Sequence, residues 1–259
     1  ERFAMSKCKP MERIEKYAPA ANSKSVNKRI IQEMLGSLQY LACKTRPDIV
    51  CIVNRLSQEV EKPTQNLLNA VKNVWRYLKH TRDLAVEIGQ INEETLVVSV
   101  DASFGNETRS RSRSGCVMML YGSPIFWKSQ VQKVQALSTA EAELSALTSA
   151  CEEIEWIKPL IEQFNVEVTV KVLEDNQAAI AIVQKPRNKK LEVKSDYIRD
   201  RIEYGDISLI KYQPSELQAA DALTKVVDRD ATRKLGLVRF QTKNPGNVNS
   251  TSHVDGAQA

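Results

Sequence analysis

The stretch TLVVSVDASFGN, residues 95–106, decides how this chain folds and points to what it does. Residues 95–100 are mostly β-branched, a composition typical of a strand that is buried on both faces of a sheet. Asp101 follows this run directly, and we expect it to end the strand. Burying a carboxylate there costs free energy unless a cation pairs with it or a following turn uses it as a cap. Asp101 is therefore either a ligand for a cation or a turn residue before Ala102 and Ser103.

The sequence after this strand alternates between strand-like and helix-like segments. The turn Gly122-Ser123 joins two strand-like runs, and Ser138 is a good N-cap for the long helix that follows. Strands are expected at 95–101, 115–121, 124–131, 168–174 and 207–213, and helices at 138–164, from 176, at 191–204 and from 215. This order predicts an α/β fold in which a mixed five-stranded sheet is flanked by helices.

The sequence before this strand has a different pattern. Apolar residues recur at helical spacing over 27–43, 49–56 and 67–78, and Pro47 and Pro63 separate these segments. Residues near the C-terminus are rich in Asn, Ser, Gly and Gln, a composition that does not support a packed core. We therefore predict an N-terminal helical segment at 1–92, an α/β domain at 93–229 and a disordered tail at 230–259.

Composition narrows the function classes. Hydrophobic residues make up 42% of the 259 residues, enough for a core, and the net charge of +5 is compatible with a polyanionic partner. The five cysteines form no Cys-x-x-Cys pair, so we expect reduced thiols rather than structural zinc. The two histidines have no catalytic partner nearby in the sequence, which argues against Ser-His-Asp chemistry. Without a signal peptide or a long apolar run, we expect an intracellular protein with no membrane partner.

Two glutamates in STAEAELSAL compete for a functional role. Glu141 lies three residues after the cap Ser138, the spacing of a capping box, so we assign it a structural, solvent-exposed role. Glu143 falls on the apolar stripe of Leu147 and Ile154, which should face the sheet. An inward-facing acid is costly without a cationic partner, and no Lys or Arg lies within one turn of Glu143. A metal ion is therefore its natural partner.

Two further acids are ambiguous by themselves. Asp175, in LEDNQAAI, stands at a strand-to-helix junction, where Asp-Asn is also ordinary helix-capping chemistry. Asp221, in LQAADALTK, is placed in the late helix, where an Asp is often only a surface charge. Both gain weight from Asp101 and Glu143, because Mg²⁺ needs several hard oxygen ligands at one point. Two such ions about 4 Å apart can activate a water and stabilise the leaving oxygen of a phosphodiester.

Over nearly its full length the chain resembles the Pol polyprotein of copia-type LTR retrotransposons. The runs GSLQYLACKTRPDI and VWRYLKHT resemble the thumb and connection region that follows the polymerase palm. The runs SGCVMMLYGSPIFWKSQVQKVQALSTAEAELSAL, EDNQAAIAI and LQAADALTK resemble the RNase H domain. The resemblance implies an RNase H-like sheet preceded by a small helical thumb/connection segment. It also implies the C-terminal fragment of a longer polyprotein, with the polymerase palm upstream as a partner.

The resemblance implies an activity as well: metal-dependent hydrolysis of the RNA strand of an RNA/DNA hybrid during reverse transcription. Its cofactors would be two Mg²⁺ ions, with Mn²⁺ as an alternative, and its locations the cytoplasmic retroelement particle and the nucleus. The residues implied for catalysis and metal binding are Asp101, Glu143, Asp175 and Asp221, and those for hybrid binding are Ser103, Asn106, Thr139 and Gln177.

The chain departs from the family pattern at several points. The family's Asp-Ala-Asp-Trp is replaced at residues 101–104 by Asp-Ala-Ser-Phe, and the late histidine of cellular RNase H enzymes has no counterpart. The first departure leaves the four acids in place, and the second predicts slow turnover. The chain has no Asp-Asp dipeptide for a polymerase centre, so we do not expect it to synthesise DNA. The N-terminal helical segment is expected to add hybrid affinity but no chemistry. The alternative function is that of a catalytically degenerate remnant, which binds nucleic acid or a polymerase partner without cutting.

Overall fold

The computed structural model describes residues 24–89, 95–185, 189–225 and 229–240. The strands are β1 (Leu84–Val86), β2 (Thr95–Glu107), β3 (Arg111–Leu120), β4 (Ser123–Val131), β5 (Thr169–Glu174), β6 (Leu209–Tyr212) and β7 (Leu237–Arg239). The helices are α1 (Lys28–Lys44), α2 (Val50–Gln58), α3 (Gln65–His80), α4 (Thr139–Glu162), α5 (Gln177–Gln184), α6 (Lys189–Glu203), α7 (Asp221–Thr224) and α8 (Arg229–Lys234).

Strands β4, β3, β2, β5 and β6 form one mixed sheet in that order. Strands β2, β3 and β4 are antiparallel neighbours, whereas β5 and β6 run parallel to β2. Parallel neighbours need a crossover connection, which α4 provides before β5 and α5 with α6 provide before β6. The predicted α/β fold, a mixed five-stranded sheet flanked by helices, is confirmed.

Each face of the sheet carries its own hydrophobic core. On one face Val98 and Val100 of β2 and Met118 of β3 pack in a cluster with the apolar stripe of α4. On the other face Val117 of β3 joins the buried residues of α1, α2 and α3 in a second cluster. Alternating residues of β3 thus serve opposite cores, as the two-residue period of a strand requires. The N-terminal helical segment therefore covers the face of the sheet opposite α4.

The packing bears on both ends of the predicted α/β domain. The helical segment shares a hydrophobic core with Val117 and Leu223 of that domain, and the boundary between residues 92 and 93 stays a prediction. Residues 230–240 are not a disordered tail: they contain most of α8 and all of β7, and β7 pairs antiparallel with β1. This pairing depends on residues far apart in the sequence, so local composition could not reveal it. The remainder of the predicted tail, 241–259, lies outside the described residues.

Polar side chains also hold the helical segment together. Asn27 and Thr64 cap α1 and α3 by accepting backbone N–H bonds, so α1 begins at Lys28 and α3 at Gln65. Between α1 and α2, the buried Arg46 forms a two-pronged ion pair with Asp48, with distances of 2.9 and 2.7 Å. Tyr77 of α3 donates a hydrogen bond of 2.7 Å to the same carboxylate, so the turn that separates α1 from α2 is tied to α3. No helix in the described ranges is both long and apolar enough to cross a membrane.

Gly115 of β3 allows α7 to lie directly on the sheet. A Cβ atom at this position would come within 2.9 Å of the carbonyl of Ala220, the Cβ of Leu223 and the Cγ2 of Thr224. Such contacts require the backbone of α7 to move away from the sheet. The glycine thus sets the distance between α7 and the strand pair β2–β3.

We predict that Gly115→Ala lowers the free energy of unfolding by about 1–3 kcal/mol, the usual cost of overpacking a core. Chemical denaturation measures the change. Gly36→Ala on the exposed side of α1 is the matched control, because an added Cβ there meets nothing within 4 Å. Alanine should raise stability there by about 0.5–1 kcal/mol through its higher helix propensity. Equal effects of the two substitutions would contradict the close approach of α7.

Candidate active site

Two of the predicted acids come together because of the register between β2 and β5. The parallel ladder ends at the pair Ser99 and Leu173. Asp101 and Asp175 each lie two residues beyond that pair, so they leave neighbouring strands at the same edge. The prediction that Asp101 ends its strand is wrong, since β2 continues to Glu107 by pairing with β3. The antiparallel partner keeps the backbone extended after the parallel partner has turned away.

Helix α4 brings the third acid to the same edge. Ser138 caps this helix by accepting the backbone N–H of Glu141 at 3.2 Å. Glu143 then falls on the buried face of α4, as its position in the sequence predicted. One ligand oxygen from each of Asp101, Glu143 and Asp175 lies within 4.8 Å of the other two. The described residues contain no other group of this kind.

Burial raises the pKa values of two of these acids, Glu143 and Asp101. Burial raises the pKa of the Glu143 carboxyl well above its usual range, and the negative charges of Glu174 and Asp101 raise it further. Burial also raises the pKa of Asp101, while a hydrogen bond from Thr224 lowers it. Two full charges 4.8 Å apart would repel each other by about 3.5 kcal/mol at an effective dielectric constant of about 20. Bound protons or a cation are therefore needed to reduce the electrostatic repulsion among these carboxylates.

Glu174, the last residue of β5, is a further buried acid, which the sequence analysis missed. Its side chain is fully buried, and one carboxylate oxygen accepts the backbone N–H of Asn176 at 3.0 Å while the other has no partner. Burial raises its pKa, as does the charge of Asp175. The alternation of buried and exposed residues along β5 could have indicated its burial, because Glu174 occupies the inward position that follows Val170 and Val172.

Asp221 lies beside this group rather than within it. Its negative charge contributes to the raised pKa of Asp101. However, its carboxylate accepts a hydrogen bond of 2.6 Å from the ammonium group of Lys225, and it does not belong to the three-residue cluster. Lys225 is the cation that the sequence analysis overlooked at this site, although it stands four residues after Asp221.

The helix predicted from Ser215 is wrong in its extent. A 3₁₀ turn at Ser215–Leu217 is followed by an extended residue, Gln218, and α7 begins only at Asp221. Gln218 is fully buried, and its amide donates to the carbonyls of Val100 at 2.9 Å and Leu173 at 3.3 Å. These bonds close the gap where β2 and β5 separate. A tertiary contact, and not helix propensity, therefore sets the shape of this segment.

The residues predicted to bind a hybrid divide by exposure. Asn106, Thr139 and Gln177 are exposed, and the last two occupy the first positions of α4 and α5. Ser103 is buried, and its hydroxyl accepts the amide of Asn106 at 2.7 Å. All four roles stay predictions.

Glu141 has the expected structural role but not the expected exposure. Its carboxylate accepts the backbone N–H of Leu137 at 2.9 Å, one residue before the cap, and it is 6% exposed. The ammonium group of Lys190 from α6 lies 2.5 Å from its other oxygen. Packing of α6 over the start of α4 covers a position that the helical pattern alone leaves in solvent.

The cluster offers what a divalent cation requires. Its three donors are carboxylates, the ligands that Mg²⁺ and Mn²⁺ prefer. One oxygen of Glu143 is buried without a hydrogen-bond partner, although buried acceptors are almost always satisfied. A cation held by Asp101, Glu143 and Asp175 would supply the missing partner and offset the repulsion. The residues present therefore fit a metal centre.

The raised pKa values predict that the metal-free protein loses stability as pH rises. The unfolded chain releases these protons at the ordinary carboxyl pKa of about 4, whereas folded Glu143 and Glu174 retain them to higher pH. The folded state thus binds more protons above about pH 4, and the free energy of unfolding falls as pH increases. Mn²⁺ should restore stability, with the larger effect at alkaline pH. Thermal unfolding between about pH 5 and about pH 8.5, with and without Mn²⁺, measures both effects.

Glu143→Gln is the control for this experiment, because it removes one of the raised carboxyls and keeps the size of the side chain. The metal-free variant should lose less stability with rising pH than the parent protein, and Mn²⁺ should no longer stabilise it. A parent protein whose melting temperature is the same across this pH range would contradict the assignment.

Comparison with known proteins identifies relatives over most of the chain, although no protein-family model matches it. The Retrovirus-related Pol polyprotein from transposon RE2 of Arabidopsis thaliana is 32% identical over 217 residues, which are 80% of this chain and 15% of the relative. The polyprotein from transposon RE1 of the same plant is 31% identical over 241 residues, 89% of this chain and 16% of the relative. The chain thus spans about one sixth of the length of these relatives.

Among solved structures, LC11-RNase H1, isolated from compost by a metagenomic approach, is 18% identical and covers 50% of this chain and 92% of its own, with a TM-score of 0.42. The same enzyme in complex with an RNA/DNA hybrid is 20% identical, covers 50% and 93%, and has a TM-score of 0.40. Both scores are low, so the fold assignment rests on the order and directions of the strands. The family follows instead from the 32% and 31% sequence identity to the two Arabidopsis polyproteins over 80% and 89% of this chain. This protein belongs to the retrovirus-related Pol polyproteins of copia-type LTR retrotransposons.

Proposed function

We propose that this protein is a metal-dependent endonuclease that hydrolyses the RNA strand of RNA/DNA hybrids during retrotransposon reverse transcription. One observation carries the proposal: the ligand oxygens of Asp101, Glu143 and Asp175 converge within 4.8 Å, and one oxygen of Glu143 is buried without a partner. Hydrolysis of a phosphodiester by two metal ions needs this kind of acidic centre. The strand order of the sheet and the family membership support the same activity.

We propose Asp101, Glu143, Asp175 and Asp221 as the catalytic, metal-binding residues and two Mg²⁺ ions, or Mn²⁺, as the cofactors. When bound, such ions lower the pKa of the attacking water and stabilise the charge on the leaving oxygen. Asp101 links the two parts of the proposed site, because its ligand oxygen lies within 4.8 Å of those of Glu143 and Asp175 and the charge of Asp221 raises its pKa. Lys225 contacts only the Oδ1 atom of Asp221, so the Oδ2 atom is the oxygen that we propose as the metal ligand.

A cleft of about 380 Å³ next to α4 suits the sugar-phosphate backbone of a hybrid. Three lysines line it together with the hydroxyls of Ser114, Ser145 and Thr148. The lysines are Lys128, Lys133 and Lys194. Such a site fits recognition by shape and phosphate contacts rather than by base sequence. We propose that the hybrid extends from this cleft to the acidic cluster, past the exposed Thr139 at the start of α4.

The polyprotein context is a further part of the proposal. The relatives are several times longer than this chain, so we propose that a polymerase palm on the same polyprotein supplies the hybrid. We propose the cytoplasmic retroelement particle, and the nucleus, as the locations. The reduced cysteines of the described residues, Cys43, Cys51, Cys116 and Cys151, are compatible with such reducing compartments.

We predict that Glu143→Gln abolishes cleavage and that Glu141→Gln does not. Loss of Glu143 removes a ligand, so the single-turnover rate on a labelled hybrid should fall by at least about 100-fold. Gln at position 141 can still accept the N–H of Leu137 and loses only the pair with the half-exposed Lys190. It should cost at most about 1 kcal/mol of stability. The reverse outcome would contradict the site, and retained hybrid binding without cleavage by the parent protein would favour the degenerate remnant.

We predict that Lys133→Ala weakens hybrid binding and reduces its dependence on salt. Each phosphate contact contributes about one unit to the slope of log affinity against log salt concentration, so the slope should fall by about that amount. Fluorescence anisotropy with a labelled hybrid at several salt concentrations measures it. Lys62→Ala is the matched control, because Lys62 is exposed but does not line the cleft. Equal slopes for the two variants would exclude Lys133 from the interface.

A further inference from the structure

A buried ion network joins the N-terminal helical segment to the sheet. Arg113 of β3 is fully buried, and its Nε lies 2.7 Å from a carboxylate oxygen of Glu107 at the end of β2. Arg55 of α2 lies 2.9 Å from the same oxygen. Arg113 also donates to the side chain of Asn54 at 2.8 Å. Arg113 is therefore a core residue, although it belongs to the basic run TRSRSRSG at residues 108–115.

The same network reaches the acidic cluster through α7. Arg55 Nη2 donates to the carbonyl oxygen of Thr224 at 3.1 Å. The hydroxyl of Thr224 is directed to the Oδ2 atom of Asp101 and also lies 3.2 Å from the carbonyl oxygen of Asp221. Thr224 is fully buried, so water does not compete for these contacts. Two hydrogen bonds thus connect a residue of the helical segment to a metal-binding carboxylate.

Helix α7 depends on these partners for its position. It has only four residues, so the carbonyls at its C-terminal end lack partners within the helix. Ser129 of β4 donates to the carbonyl of Leu223 at 2.5 Å, and Arg55 donates to that of Thr224. The absence of a side chain at Gly115 lets α7 lie against β3. Arg55 is the member of this arrangement that the helical segment contributes.

We propose that Arg55 and Thr224 are positioning residues that orient the carboxylate of Asp101 for metal binding. The inference rests on the proposed function and assigns the N-terminal helical segment an indirect part in the chemistry. Asp101 must direct an oxygen toward Glu143 and Asp175 against their negative charge. The bond from Thr224 to the Oδ2 atom of Asp101 limits rotation of the carboxylate. Arg55 keeps Thr224 in place by holding the end of α7.

The first test removes the hydroxyl and keeps its volume. Thr224→Val should weaken Mn²⁺ binding by about 10-fold in calorimetric titration without substrate, the usual effect of losing a group that orients a ligand. The kcat on an RNA/DNA hybrid should fall, while KM for the hybrid stays the same. Thr224→Ser restores the hydroxyl and should recover both the affinity and the rate. Weak binding in both variants, or parental binding in both, would overturn the proposal.

The second test asks whether Arg55 acts through Thr224. Arg55→Lys keeps the charge beside Glu107 but lacks the planar fork that contacts two partners at once. Its Mn²⁺ affinity should fall about as far as that of Thr224→Val, by about 10-fold, and the double variant should lose no more than either single one. Arg29→Ala on α1 is the control, because Arg29 is exposed and forms its ion pair with Glu33 of the same helix. Additive losses, or an Arg55→Lys affinity equal to that of Arg29→Ala, would overturn the proposal.

Metal affinity and cleavage separate this inference from the proposed function. A parent protein that binds Mn²⁺ but does not cut a hybrid would refute the nuclease, and the variants would still test the positioning role. A parent protein that cuts, with variants that bind Mn²⁺ as tightly as the parent, would refute the positioning role alone. Melting temperatures of all variants identify any loss of affinity that comes from unfolding.

Discussion

Repulsion among buried carboxylates at the end of the β2–β5 ladder is the constraint on which the rest of the structure depends. The parallel register places Asp101 beside Asp175, and α4 adds Glu143 to the same small volume. Glu174 brings a further buried acid. Bringing these carboxylates together raises the free energy of the folded state, and favourable packing around them has to offset that increase. The two hydrophobic cores, one on each face of the sheet, supply that rigidity.

The surroundings of the cluster follow from this constraint. Gln218 closes the opening between β2 and β5 with hydrogen bonds to both strands. Helix α7 lies on Gly115 and directs Thr224 toward Asp101. Arg55 then connects this helix to the N-terminal helical segment. A segment that looks like a separate domain in the sequence therefore shares a hydrophobic core with the sheet and contacts α7.

Several predictions were wrong for one physical reason: they rested on local patterns where a distant contact decides. Asp101 does not end its strand because β3 continues to pair with β2. Glu141 is buried because α6 packs over the start of α4 and brings Lys190 to it. The segment from Ser215 is not one helix because Gln218 serves the sheet. Residues 230–240 are ordered because β7 pairs with β1, more than a hundred residues earlier in the chain.

The sequence by itself determined the elements whose signal is local and periodic. These are the apolar β2, the helices α1, α3 and α4, and the position of Glu143 on the buried face of α4. The family resemblance also identified four candidate acids. Only the tertiary structure decided which acids meet, because convergence depends on strand register and on helix packing. It placed three of the four in one cluster, paired Asp221 with Lys225 and revealed Glu174. It also showed that Arg55, a residue without any sequence signal of function, lies two hydrogen bonds from Asp101.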